Sequence, residues 1–222
     1  MTQQDVSKGP SAIGGILVVI AVGVIVFPLI WWMRELLQVL TPPLDATYVG
    51  LYLPARGFAL VGFVLMFYQF VLSAHLPPLE RVWKRYKLIG AHRTIGKIGF
   101  LLMLLHGVMM LTYDLVLMGQ IVLYTEKTLG LIALILLIIA VVAAWFFKPL
   151  KLPLKTWRAI HLLAYIVFPL VFHHGISIGT TVNSARPVYW LFVVLFGVYA
   201  LLVIYRIVRL FTERAGRKPA ST

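Results

Sequence analysis

The chain has 222 residues, of which 61% are hydrophobic and only 12% charged, with a mean hydropathy of +0.96. That composition excludes an ordinary water-soluble core and indicates a membrane protein. No cysteine occurs, so disulfides, iron–sulfur clusters, thiolate zinc sites and a covalently attached c-type haem are excluded, and any metal must be held by His, Met or oxygen.

A bilayer core about 30 Å thick needs about 20 apolar residues per helical crossing, and six such stretches follow one another. The opening MTQQDVSKGPSAIGG is polar, with Lys8 its one cation, and the apolar run after it is long enough to span, so it reads as a first helix and not as a cleaved signal. Helix one covers about residues 13–33 and ends on Trp31 and Trp32. Helix two covers about 50–74, with Arg56 near its start, and helix three about 93–117, with His106 inside it and His92 and Arg93 at its beginning. Helix four covers about 128–147, helix five about 157–178 with His161, His173 and His174, and helix six about 188–211. The links are too short to fold alone, so residues 1–222 are expected to form a single six-helix membrane domain.

The net charge of +13 would suggest nucleic acid in a soluble protein, but here the cations sort by side. Lys8; Arg81, Lys84, Arg85, Lys87, Arg93 and Lys97; Lys148, Lys151, Lys155 and Arg158; and Arg206, Arg209, Arg214, Arg217 and Lys218 fall on one side. Only Arg34, Arg56, Lys127 and Arg186 fall on the other, with the acids Glu35, Asp45, Asp114 and Glu126. Cytoplasmic loops collect Lys and Arg, so both termini are expected in the cytoplasm, and contact with anionic lipid accounts for most of the charge; the expected location is a bacterial inner membrane. No nucleic-acid partner is implied.

Five of the six histidines lie in or at the ends of helices three and five. Ionisable groups at membrane depth are costly and usually face a cavity or cofactor. His92 and His106 are 14 residues apart, which brings them within about 40° of one helix face and about 21 Å apart along it. On helix five, neither His173 nor His174 shares a face with His161 on a straight helix, and Pro169 between them is expected to disturb the hydrogen-bond ladder. Azimuth therefore leaves the choice open, while depth favours His174. Helices three and five run in the same direction, so His92 with His161 and His106 with His174 form two levels of facing imidazoles. Bis-His haem b requires that arrangement, one axial nitrogen from each side of a flat ring. Zinc or copper would gather three or four ligands at one point, and a proton relay would draw on more acids than Asp114.

The strings AHRTIGKIGFLLMLLHG (91–107) and WRAIHLLAYIVFPLVFHHG (157–175) resemble the paired-His helices of the ferric-reductase-like transmembrane domain. That family includes ferric reductases, NADPH oxidases and the haem-binding membrane subunit of the bacterial methionine sulfoxide reductase system. The resemblance implies an all-α six-helix bundle with two stacked b haems between helices three and five, His92 and His161 holding the inner iron and His106 and His174 the outer. It implies an oxidoreductase that carries electrons from a cytoplasmic donor to an extracytoplasmic acceptor: ferric iron, dioxygen or a partner protein. Arg56, in LPARGFAL, resembles a family arginine that contacts an outer haem propionate and borders the acceptor site, although it also suits a snorkelling residue at a helix end. Arg93 and Lys97 lie beside the inner level, where they would neutralise inner propionates. Phe100, Tyr165, Phe168 and Phe172 fall between the levels, where packing is their commoner role.

Larger family members continue into a flavin- and nicotinamide-binding module, whereas this sequence stops after YRIVRLFTERAGRKPAST and carries no Gly-rich dinucleotide fingerprint. The expected donor is therefore a separate flavoprotein, flavin or quinol, unless the chain is the membrane piece of a longer product. Two alternatives stand beside this reading: a haem-binding subunit that feeds a periplasmic methionine sulfoxide reductase-type partner, and a histidine-lined transporter, for which no convincing internal repeat is apparent.

Overall fold

The computed structural model describes residues 12–39 and 45–215, so Lys8, Arg217 and Lys218 of the charge count lie outside the described residues. The described chain is helical throughout, with no strand. Helix α1 (Ala12–Val39) is followed by a π-helical turn (Tyr48–Tyr52) that runs into α2 (Leu53–Ser73), then α3 (Pro77–Val82) and α4 (Arg85–Met118). Next come α5 (Thr125–Trp145), α6 (Leu154–His161), α7 (Ala164–Ile178), α8 (Thr180–Ser184) and α9 (Arg186–Ala215). Six segments are long and apolar enough to cross a membrane: Ala12–Gln38, Tyr48–Ser73, Arg85–Met118, Thr125–Trp145, Leu154–Ile178 and Arg186–Glu213. Every expected crossing is present, and the chain is an integral multi-pass membrane protein.

The largest difference in span boundaries is at the third crossing, which begins at Arg85 and not near residue 93. Hydropathy sees only the apolar part, whereas helical hydrogen bonding continues through the charged turn Arg85–Arg93. Lys84, with φ −58° and ψ 139°, is the extended residue at which that helix starts. At its other end Gly119 adopts φ 68° and returns its N–H to the Leu115 carbonyl at 3.1 Å. Only glycine takes that left-handed position without strain, so the helix stops there.

The packing is that of a bilayer protein. Helix α2 runs through the middle, burying Leu60, Phe63, Val64, Phe67 and Phe70, and packs most extensively on α4. Helix α5 packs chiefly on α7 through a stripe of mostly small residues, Ala133, Leu137, Ala140 and Ala143, which permits close approach. Large apolar side chains such as Val19 and Leu37 on α1 and Leu201 and Phe211 on α9 point outward. In water such a surface would drive association; facing acyl chains it costs nothing.

The fifth crossing is broken, and not where its proline lies. Helix α6 ends at His161, and Leu162 and Leu163 form a tighter turn in which the Leu163 N–H bonds the Ile160 carbonyl at 3.0 Å. Pro169 sits inside a continuous α7. Proline has no N–H, so the Tyr165 carbonyl four residues back loses its helical donor, and the buried Tyr199 hydroxyl donates to it at 2.7 Å instead. Tyr199→Phe is expected to leave that carbonyl unpaired, costing about 1–3 kcal/mol and lowering the thermal unfolding midpoint in detergent. An unchanged midpoint would show that the carbonyl finds another donor.

Candidate functional site

Four imidazoles meet in two pairs. On α4, His92 and His106 face the same side, with His161 at the end of α6 opposite the first and His174 on α7 opposite the second. The ring centroids of His92 and His161 are 6.2 Å apart at an interplanar angle of 74°, and those of His106 and His174 are 6.3 Å apart at 72°. A metal–imidazole bond of about 2.0 Å, with the nitrogen about 1.1 Å from the ring centre, places two axial imidazoles on one ion about 6.2 Å apart. Both pairs have that separation. The turn at Leu162–Leu163 interrupts the helix between the two levels, and of the neighbouring rings His174 faces His106 while His173 is exposed.

Hydrogen bonding fixes which nitrogen is free in three of the four rings. The Nδ1 of His92 lies 3.3 Å from the Gln69 carbonyl, that of His106 3.0 Å from the Ala55 carbonyl, and that of His174 2.8 Å from the Glu126 carbonyl. A carbonyl only accepts, so each Nδ1 carries the proton and each Nε2 keeps its lone pair for a metal. Two of these carbonyls belong to α2, which runs antiparallel to α4 and pairs its Gln69 with His92 and its Ala55 with His106. In His161 the buried Nδ1 has no partner, and the ring is stacked on Trp157 at 5.5 Å and 9°.

Among the described residues no group of three or more His, Cys, Asp or Glu gathers at one point. Each pair therefore offers two nitrogen ligands, which suits an ion whose remaining ligands come from a flat macrocycle and does not suit a protein-only zinc or copper centre. At the His106–His174 level the pair borders a cavity whose empty space, counted out to its mouth, is about 1230 Å³. Gly130 of α5 makes room there: a Cβ at that position would come within 2.5 Å of the His174 Nδ1.

Arg56 lines the same cavity and is buried. Its guanidinium pairs with Glu35 of α1 and reaches the Thr181 hydroxyl of α8, while Thr181 and Ser184 also donate to Glu35. The Arg56 Nε, by contrast, is buried without a partner. Lys127, also on the cavity wall, pairs with Asp114. Glu35, Thr181 and Ser184 were not among the sequence candidates. The signal for Glu35 was a carboxylate closing an otherwise apolar span beside Trp31 and Trp32.

Arg93 and Lys97 are exposed on α4, one and five residues past His92, and so about 100° and 140° round the helix from it. Phe168 is fully buried against Phe63 and Phe70, at 5.0 and 5.3 Å. Phe100 lies edge-on to Trp145 and Phe172 stacks on Phe196, so packing accounts for all three. His75, the sixth histidine, belongs to neither pair. It lies two residues past the end of α2 with φ 58°, and its carbonyl accepts from Arg209 at 3.1 Å. Burial, followed by the Arg85 guanidinium against its ring, pushes its pKa below the ordinary imidazole value.

Residues 58–172, just over half of the chain, match the family described as ferric reductase like transmembrane component. The matched segment contains His92, His106 and His161 and stops two residues short of His174. No curated protein and no solved structure matches the chain.

Proposed function

The chain belongs to the ferric reductase-like transmembrane family, a family of oxidoreductases, and we propose that it carries electrons across the membrane through two b haems. The observation that carries this reading is the pair of imidazole pairs, both at the separation of axial ligands on one ion and about 21 Å apart along α4. In it, His92 and His161 hold the haem nearer the cation-rich, cytoplasmic side, and His106 and His174 the haem nearer the opposite side. Bound there, a haem supplies a one-electron iron couple whose potential is set by its axial ligands and surroundings.

The chain's own residues do the rest. The carbonyls of Gln69, Ala55 and Glu126 fix the rings and raise the basicity of the ligating nitrogens. The apolar wall of α2 excludes water from the interior. The unpartnered Arg56 Nε–H is a donor held for a cofactor carboxylate at the outer level, with Glu35 balancing the guanidinium charge. With both imidazoles of a pair engaged, a bound haem would have no open position for the acceptor, which would take its electron without binding the metal. Donor and acceptor are, in this reading, a flavoprotein or quinol on the cytoplasmic side and ferric iron, dioxygen or a protein on the other.

The test is a reduced-minus-oxidised spectrum with a pyridine haemochrome assay on detergent-purified protein. Two b haems per chain are expected; a fully loaded sample with one would contradict the two-level reading. Gly130→Ala sharpens the test, because its methyl group forces the His174 ring away from the Glu126 carbonyl. Haem content is expected to fall from two per chain to one, with helicity by circular dichroism unchanged. A Gly130→Ala protein that keeps both haems would show that the His174 ring is not held where it is described.

A further inference from the structure

Three Lys and Arg among the described residues, Arg56, Lys127 and Arg206, are at least partly buried, and a fourth, Arg209, has a partly covered backbone but a side chain that is 40% exposed. Arg56 pairs with Glu35, Lys127 with Asp114 and Arg209 with Glu213. Arg206 has no carboxylate within ion-pair reach among the described residues. Its guanidinium donates to the Tyr165 hydroxyl at 2.8 Å and lies over that ring at 5.8 Å.

A phenol orients a guanidinium but does not neutralise it, and a charge in a membrane interior is costly unless paired. Tyr165 is one turn past His161. Its partner Arg206 is thereby held near the level of the His92–His161 pair. The exposed cations Arg93 and Lys97 lie on other faces of α4.

We propose that Arg206, oriented by Tyr165, is the cation that binds an anionic group of the ligand held at the His92–His161 level. Resting on the haem reading above, that group is a propionate carboxylate, which the planar guanidinium fork fits. Arg206 is thus a binding residue supplied by α9, the last crossing, to a site whose ligating histidines come from α4 and α6.

The experiment is a spectroelectrochemical titration of wild type, Arg206→Gln and Arg206→Lys in neutral detergent. Removing a positive charge beside a haem stabilises its oxidised form. In Arg206→Gln one of the two midpoint potentials is therefore expected to fall, the reduced-to-oxidised ratio at fixed ambient potential dropping about tenfold, or about 59 mV for a one-electron couple. Arg206→Lys is expected to recover most of the shift. Loss of one haem in Arg206→Gln that Arg206→Lys restores would support the same assignment. Two haems with both potentials unchanged would overturn it while leaving the electron-transfer reading intact, and loss of a haem in both variants would overturn the charge-specific role. A shift that appears only in anionic-lipid nanodiscs would assign Arg206 to a lipid phosphate, overturning the propionate. Wild type that binds no haem would sink the functional reading itself.

Discussion

His106→Ala is expected to lower haem content from two per chain to one, and His161→Ala to do the same while removing the other haem. Each pair contributes only two nitrogens, so on the proposed reading the loss of either ring would leave its level a single protein ligand. The levels are about 21 Å apart along α4, a distance at which mutational effects are usually independent. The double variant should therefore bind none. His173→Ala, changing an exposed ring beside His174, should keep both. The decisive measurement is haem per chain with the reduced spectrum of each variant; a protein that lost both haems on either single substitution would show one cooperative site in place of two levels.

The second large effect concerns Glu35. Its carboxylate is shared by Arg56, Thr181 and Ser184, from α2 and α8, and it ties the lipid-facing α1 to the bundle. Glu35→Ala leaves a buried guanidinium without its counter-charge, and breaking a buried pair from one side costs about 3–5 kcal/mol. The thermal unfolding midpoint should fall steeply. Glu35→Gln, which keeps an acceptor oxygen, should fall less. The double variant Glu35→Ala with Arg56→Ala removes both charges and should recover part of the loss. If single and double variants unfold together, Arg56 is not balanced by Glu35.

What the sequence made legible has a simple physical basis. Spans were visible because a bilayer imposes length and apolarity residue by residue, and the imidazole levels because helical rise converts spacing into depth. What escaped depended on partners far away in the chain. The break after His161 falls at Leu162–Leu163, two residues with no helix-breaking character, whereas Pro169, the obvious breaker, is accommodated by a hydroxyl from α9. Arg56 was singled out, but its carboxylate partner lies 21 residues earlier on another crossing. Arg93 follows His92 directly in sequence and is exposed, because one residue along a helix is a neighbouring direction, not the same one. Arg206, one more topogenic cation in the sequence, is distinguished by partial burial combined with the absence of an ion-paired carboxylate among the described residues.

One arrangement in α2 bears on how far the device can be altered. Its Ala55 and Gln69 carbonyls are separated along their helix by the same number of residues as His106 and His92 along theirs. The backbone of a single uninterrupted helix thus serves as a gauge for both imidazoles, and the interval between the two imidazole levels is set by covalent geometry rather than by soft packing. Inserting one residue between Ala55 and Gln69 would slide one contact by about 1.5 Å and turn it through about 100° relative to the other. The chain can therefore tolerate changes in its loops and lipid-facing surfaces, but the stretch of α2 between those two carbonyls must keep its residue count.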